Sequence, residues 1–272
     1  MSKFFRGNAN LKILADKSFK SIEEGAYDID KYDERSHEGI NIRKSILRCP
    51  NVPLITEVKL SSPSKGRLNR AEKDIDIVSI ACTMINAGST ALSVLTQPYF
   101  FSGSIQHLAT VRDKVQTPIL MKDIIVSDVQ IQCARKVGAD CILLIQSIFD
   151  GNLAEGSIEK FSDFAKKKGL SVLVEVHSED EFKEVIGSRQ KYDLIGINNR
   201  DLNTFETDIK TTERLLSKYD KGKHIVVSES GISSPKEIKL LKRAGADAFL
   251  VGTSIIESPN IDSKIRELYY AF

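Results

Sequence analysis

Eight short apolar runs recur along this chain, at 54–59, 90–96, 118–122, 140–146, 171–177, 193–198, 224–229 and 247–252, with helical patterns between them. Their Val, Ile and Leu residues are nearly continuous instead of alternating with polar ones. A strand buried on both faces reads this way, because helices cover its sheet on each side. Parallel strands need crossover connections, so strict alternation of strand and helix over 272 residues leaves few architectures. The expected fold class is α/β, a (β/α)8 (TIM) barrel. An open doubly wound sheet is the alternative, but no G-x-G-x-x-G follows the first run.

An internal repeat supports the alternation. Ala87-Gly88-Ser89-Thr90, Val137-Gly138-Ala139-Asp140 and Ala244-Gly245-Ala246-Asp247 share one layout, in which a helix ends, Gly takes the left-handed cap and a strand begins. Ser127-Asp128-Val129-Gln130, Ser178-Glu179-Asp180-Glu181 and Ser234-Pro235-Lys236-Glu237 each fit a capping box a few residues after a strand. Residues 1–50 read as an N-terminal helical extension, with Leu11, Ile13, Leu14, Ile40, Ile42 and Ile46 able to pack and Glu23 to Glu38 on the surface. With no long linker or low-complexity tract, 1–272 is expected to form a single domain.

The runs end in polar and charged residues. Leu54-Ile55 leads to Glu57 and Lys59, Ile119-Leu120-Met121 to Lys122-Asp123, and Val172-Leu173-Val174 to Glu175 and His177. Leu194-Ile195-Gly196-Ile197 leads to Asn198, Arg200 and Asp201, and Ile225-Val226-Val227 to Ser228-Glu229-Ser230-Gly231. Charge at a buried strand end is costly unless paired. In a barrel these ends form one rim, so they converge on one polar site. Glu57 and Lys59 are two residues apart and share a side, as do Glu175 and His177, and Asn198 and Arg200 if that strand continues so far. A salt-bridged rim without chemistry is the competing reading.

The loops Glu229-Ser230-Gly231-Ile232-Ser233 and Val251-Gly252-Thr253-Ser254 follow the last two strands, where barrels often bind phosphate. Ser61-Ser62-Pro63-Ser64-Lys65-Gly66 adds hydroxyls and a cation after the first strand. Tyr99-Phe100-Phe101, in a loop after the second strand, can cover a ring or form a small core. His107 and His224 read as ordinary partly buried histidines.

A net charge of +2 gives no bulk polycation for nucleic acid or a membrane surface. No apolar stretch reaches the roughly 18 residues of a spanning helix, and no secretory apolar region follows Met1 to Arg6. Cys49, Cys82, Cys133 and Cys141 lack C-x-x-C spacing, so reduced thiols, a cytoplasmic location and no structural zinc are expected.

The chain resembles the indole-3-glycerol phosphate synthase family. The resemblance rests on Ile55-Thr56-Glu57-Val58-Lys59 with Ser62-Pro63-Ser64, Ser93-Val94-Leu95-Thr96 with Phe101-Ser102-Gly103-Ser104, and Ile119-Leu120-Met121-Lys122-Asp123. It continues through Gly138-Ala139-Asp140, Val174-Glu175-Val176, Gly196-Ile197-Asn198-Asn199-Arg200-Asp201-Leu202 and Ser228-Glu229-Ser230-Gly231-Ile232, in register from about 45 to 257. It implies a small-molecule substrate, 1-(2-carboxyphenylamino)-1-deoxyribulose 5-phosphate, whose ring closes with loss of CO2 and water, and no cofactor or metal. It also implies roles. Lys122 is the general acid on the ketone. Lys59 holds the carboxylate and is a candidate acid for the dehydration, with Glu57 as its acid–base partner. Glu175 stabilises the cationic intermediate or takes its proton. Asn198, Glu229 and Ser230 orient the substrate, and Arg200 fits the anthranilate carboxylate side. Ser62, Gly231, Gly252 and Thr253 grip phosphate, and Phe101 walls the aryl pocket. Asp123, Asp201 and His177 are taken as structural neighbours. Ile124, Leu60 and Gln97 depart from the usual pattern and bear on the aryl pocket and loop contacts.

Three alternatives stand beside this. Phosphoribosylanthranilate isomerase would need a Cys base where Glu57-Val58-Lys59 stands. A Schiff-base aldolase would use Lys59 or Lys122, and a non-catalytic phosphate-binding barrel would not need the acid–base set.

Overall fold

The computed structural model of the protein describes residues 10–32, 37–59, 76–202 and 204–272 in full, and residues 9, 61–62 and 66–67 in backbone only. The eight apolar runs are eight parallel strands: β1 (Leu54–Val58), β2 (Ala91–Leu95), β3 (Ile119–Lys122), β4 (Cys141–Ile145), β5 (Ser171–Val176), β6 (Leu194–Asn198), β7 (Val226–Glu229) and β8 (Ala248–Val251). Each pairs with its sequence neighbour, and β8 pairs back onto β1, so the sheet closes into a barrel. Nearly every strand residue is buried, which is why the runs are continuously apolar. Each observed strand is one or two residues shorter than its run, and the trimmed end positions are mostly polar, among them Thr90, Asp140, His177 and Asp247. Leu60 and most of the loop after β1 lie outside the described residues. Ser61–Ser62 pairs with Gly66–Arg67 in a two-stranded ribbon.

The repeats have the geometry expected of them. Ser127, Ser178 and Ser234 each close a capping box, with Gln130, Glu181 and Glu237. Gly88, Gly138 and Gly245 all take positive φ where a helix gives way to the next strand.

The N-terminal segment forms helices Ala9–Glu23 and Ile42–Arg48. Leu11, Leu14, Ile42 and Ile46 are buried as expected, but Ile13 is on the outer face. The stretch expected on the surface contains Tyr27, which is fully buried. Its hydroxyl donates to Asp123 Oδ2 at 2.7 Å. Ser18 Oγ donates to the Ile124 carbonyl at 2.5 Å. The extension therefore packs on the segment that follows β3. Asp140, just before β4 and at the opposite end of the barrel, accepts from Ile40 N at 2.6 Å, Arg112 at 2.5 Å and Ile119 N at 2.8 Å, and faces His37 at 2.7 Å.

His107 and His224 are partly buried. All four cysteines are free thiols, two buried and two partly exposed. Among the described residues no helix is long and apolar enough to cross a membrane, and no His, Cys, Asp and Glu cluster could hold a metal.

Candidate active site

The C-terminal ends of the strands surround a cavity of about 450 Å³. Every candidate residue except Ser62, whose side chain lies outside the described residues, lines it: Glu57, Lys59, Phe101, Lys122, Glu175, Asn198, Arg200, Glu229, Ser230, Gly231, Gly252 and Thr253. Residues on seven strand ends and loops thus share one space.

At its floor, Lys122 Nζ donates to Glu175 Oε2 and to Glu229 Oε2, each at 2.9 Å. All three side chains are buried or nearly so. Burial works against the ammonium, but Glu175, Glu229 and Glu57 outweigh it and hold Lys122 above the usual lysine range. The two acids diverge. Burial opposes ionisation of Glu175, yet Lys122 and His177 bring its carboxyl well below the usual range. At Glu229 burial pushes up, Lys122 pulls back and Glu175 pushes up again, leaving it at about 8. Neighbouring carboxyls with opposed shifts are equipped for different tasks at neutral pH. Glu229 Oε1 is buried and has no hydrogen-bond partner among the described residues.

A second pair stands beside this one. Lys59 Nζ lies 3.0 Å from Glu57 Oε1 and donates to Thr253 Oγ1 at 2.8 Å. The two glycines nearest the carboxylates are required by them. A Cβ on Gly252 would meet Glu57 Oε1 at 2.7 Å, and one on Gly196 would meet Glu229 Oε1 at 2.2 Å. Close approach at Gly252 therefore has a cause besides any anion.

Strand β6 stops at Asn198, so Arg200 does not continue it. Asn198 Oδ1 turns the chain by accepting from Arg200 N at 3.0 Å, and Arg200 bridges to Thr207. Ser230 has φ +68°, and Asn199 Nδ2 donates to its carbonyl at 3.0 Å. The aromatic loop divides: Phe101 lines the cavity, Phe100 packs on the core, and Tyr99 stacks under Lys17, 4.9 Å from its ring centre. The segment expected as a loop is a short helix, Pro98–Phe101, which Gln97 caps by accepting from Tyr99 N and Phe100 N.

Asp123 is buried beside the cavity, where burial raises its carboxyl to about 6 against donation from Thr96, Tyr27 and Ile124 N. Sequence reasoning missed Leu14 and Phe205, which also line the space, as do Ile124 and Ser254. No local pattern marks Leu14, which arrives from the N-terminal helix. It also undervalued His177, whose Nε2 lies 3.0 Å from Glu175 Oε1; the two-residue spacing was the available signal.

Fold and mouth together define a (β/α)8-barrel enzyme equipped for proton transfer. Residues 15–268 match the family model for indole-3-glycerol phosphate synthase. Curated proteins of that name are similar over most of their length. That of Methanocaldococcus jannaschii is 42% identical over 88% of this chain and 86% of its own, and that of Aquifex aeolicus is 39% identical over 88% and 90%. The chain belongs to the indole-3-glycerol phosphate synthase family. A solved N-acetylmannosamine-6-phosphate 2-epimerase from Clostridium perfringens shares the fold alone, with TM-score 0.58 and 14% identity over 82% of this chain and 93% of that one.

Proposed function

We propose that this protein converts 1-(2-carboxyphenylamino)-1-deoxyribulose 5-phosphate to indole-3-glycerol phosphate, with loss of CO2 and water, in the cavity at the strand ends. The observation that carries the reading is Lys122 held between Glu175 and Glu229 at 2.9 Å each. A charged lysine poised there can protonate the ketone oxygen as the ring closes, when that oxygen becomes basic. Glu175, an anion at neutral pH, then faces the cationic intermediate, and a fixed, buried carboxylate stabilises such a charge strongly.

Lys59 is the cation for the anthranilate carboxylate and the candidate acid for the dehydration, with Glu57 at 3.0 Å as its partner. Arg200 serves the same carboxylate side. Leu14, Leu95, Phe101 and Ile124 supply an apolar wall suited to the aryl ring. The loops at Gly231 and at Gly252-Thr253, with Ser62, are assigned to phosphate. Asn198, Glu229 and Ser230 are assigned to orientation. Proton transfer and electrostatic stabilisation suffice for these steps, so the reading needs no metal or cofactor, and it makes the protein a cytoplasmic biosynthetic enzyme.

The test is turnover of the anthranilate-ribulose phosphate by the purified protein, followed by the fluorescence of the indole product. Absence of product at micromolar enzyme would refute the reading. Borohydride trapping of a stable lysine adduct with a carbonyl substrate would favour Schiff-base chemistry instead.

A further inference from the structure

Strand β5 ends at Val176, and the next residue turns back on the strand's own carboxylate. His177 Nε2 lies 3.0 Å from Glu175 Oε1, while Lys122 Nζ holds the other oxygen at 2.9 Å. Across the ring, Nδ1 lies 3.7 Å from Glu181 Oε2. Glu181 is itself immobilised, because the same oxygen accepts from the backbone N–H groups of His177 at 2.5 Å and Ser178 at 3.3 Å. The imidazole thus lies between two carboxylates at ion-pair distance, its side chain 9% exposed and, among the described residues, neither ring nitrogen in hydrogen-bonding geometry.

Among the described residues, Lys122 and His177 are the two cations at ion-pair distance from Glu175. When Lys122 gives its proton away, one of the two disappears. A buried carboxylate stripped of its counter-ion takes up a proton, and a neutral Glu175 cannot oppose a cationic intermediate. We propose that His177 is a positioning residue: held between Glu175 and Glu181, it keeps Glu175 a carboxylate while Lys122 gives up its proton. The inference rests on the roles proposed above for Lys122 and Glu175.

The electrostatics agree. Burial disfavours the protonated ring, but Glu175 and Glu181 outweigh it and raise His177 to about 9. Among the described residues, further charged groups nearby are Lys122 from β3 and Glu229 from β7, beyond Glu175, and Asp150 on the preceding helix, which interacts with Glu184 and Glu181.

The experiment compares His177→Asn, His177→Lys, Glu175→Gln and the double variant H177N/E175Q, measuring kcat and KM against pH. Loss of the imidazolium should lower kcat at pH 7 by about tenfold or more, and raise the acidic limb of the kcat profile by about one unit or more. KM should stay nearly constant, His177→Lys should restore the limb, and H177N/E175Q should be no slower than E175Q. H177N with an unmoved limb, whether or not its melting temperature falls, would overturn the inference while leaving the role of Glu175 intact. E175Q at wild-type kcat would instead remove the role of Glu175, and the inference with it. Should H177N fail to fold, an NMR titration of the His177 ring in the unaltered enzyme decides: protonation persisting above pH 8 supports the inference, and loss of the proton below pH 7 overturns it.

Discussion

Gly196→Ala should disable this enzyme without unfolding it. The new Cβ would stand 2.2 Å from Glu229 Oε1 and 2.9 Å from Leu173 Cδ2. Ordinary contact begins at 3.4 Å, so the carboxylate must retreat by about 1.2 Å. The colliding atom is the end of a side chain, so the fold yields at the low end of overpacking costs, about 1 kcal/mol. The melting temperature should fall by roughly 2–4 °C. The same retreat stretches the 2.9 Å contact between Glu229 and Lys122 beyond hydrogen-bond range. A hydrogen bond to a charged group contributes about 1.5–3 kcal/mol. Lost from the transition state, that is roughly a 10- to 150-fold fall in kcat. Steady-state kinetics by indole fluorescence, beside a thermal melt, measures both. A variant with kcat within about twofold of wild type would show that the geometry of Glu229 at Lys122 does not govern the rate.

Lys122→Met should lower kcat by about 10²–10⁴, the usual contribution of a general acid; a variant retaining full turnover in the same fluorescence assay would remove the assigned acid. Thermal stability should fall as pH rises from 6.5 to 9. His177, raised from 6.5 to about 9 on folding, stabilises fully below 6.5 and loses that contribution through 9. Glu229 stays protonated up to about 8 in the fold but ionises from 4.5 in the unfolded chain, which costs stability as pH rises from 4.5 to about 8 and so adds to the fall over the lower part of the His177 window. Melts that are flat or rising across that window would contradict both shifts. Asp140→Asn, at the far end of the barrel, should cost about 3 kcal/mol by removing the buried counter-charge of Arg112, whose donations to the Gly138, Val115 and Thr117 carbonyls remain, and leave kcat unchanged; a fall in kcat at a temperature where the variant is fully folded would contradict that separation of ends.

Much of the barrel was legible because burial on both faces of a parallel strand writes an uninterrupted apolar run. The helix starts were legible because a capping box is local chemistry: Ser178 needs Glu181 three residues on, wherever the helix packs. The burial of Tyr27 and the place of Leu14 in the cavity were not. Each residue reaches its site by packing a distant segment onto the barrel, and nothing in its neighbours records the destination. Ile13 sits among equally apolar residues yet faces outward, since only docking decides which helix face is covered. Arg200 lines the cavity, but not by continuing the strand: the chain turns at Asn198, whose side chain accepts from Arg200 N, and the two-residue spacing could not reveal that.

The amino-acid order alone therefore determined the eight-strand alternation, the caps, and the acids, lysines and glycines gathered at the rim, because these follow from periodicity and short-range hydrogen bonding. Tertiary structure decided how those groups divide the work. Two similar glutamates flank one lysine, but His177 stands behind Glu175, while Glu229 is buried against Gly196 with one oxygen unpartnered. Burial and the identity of the next charge, both products of chain closure, hold one carboxyl well below the usual range and leave the other keeping its proton to about 8.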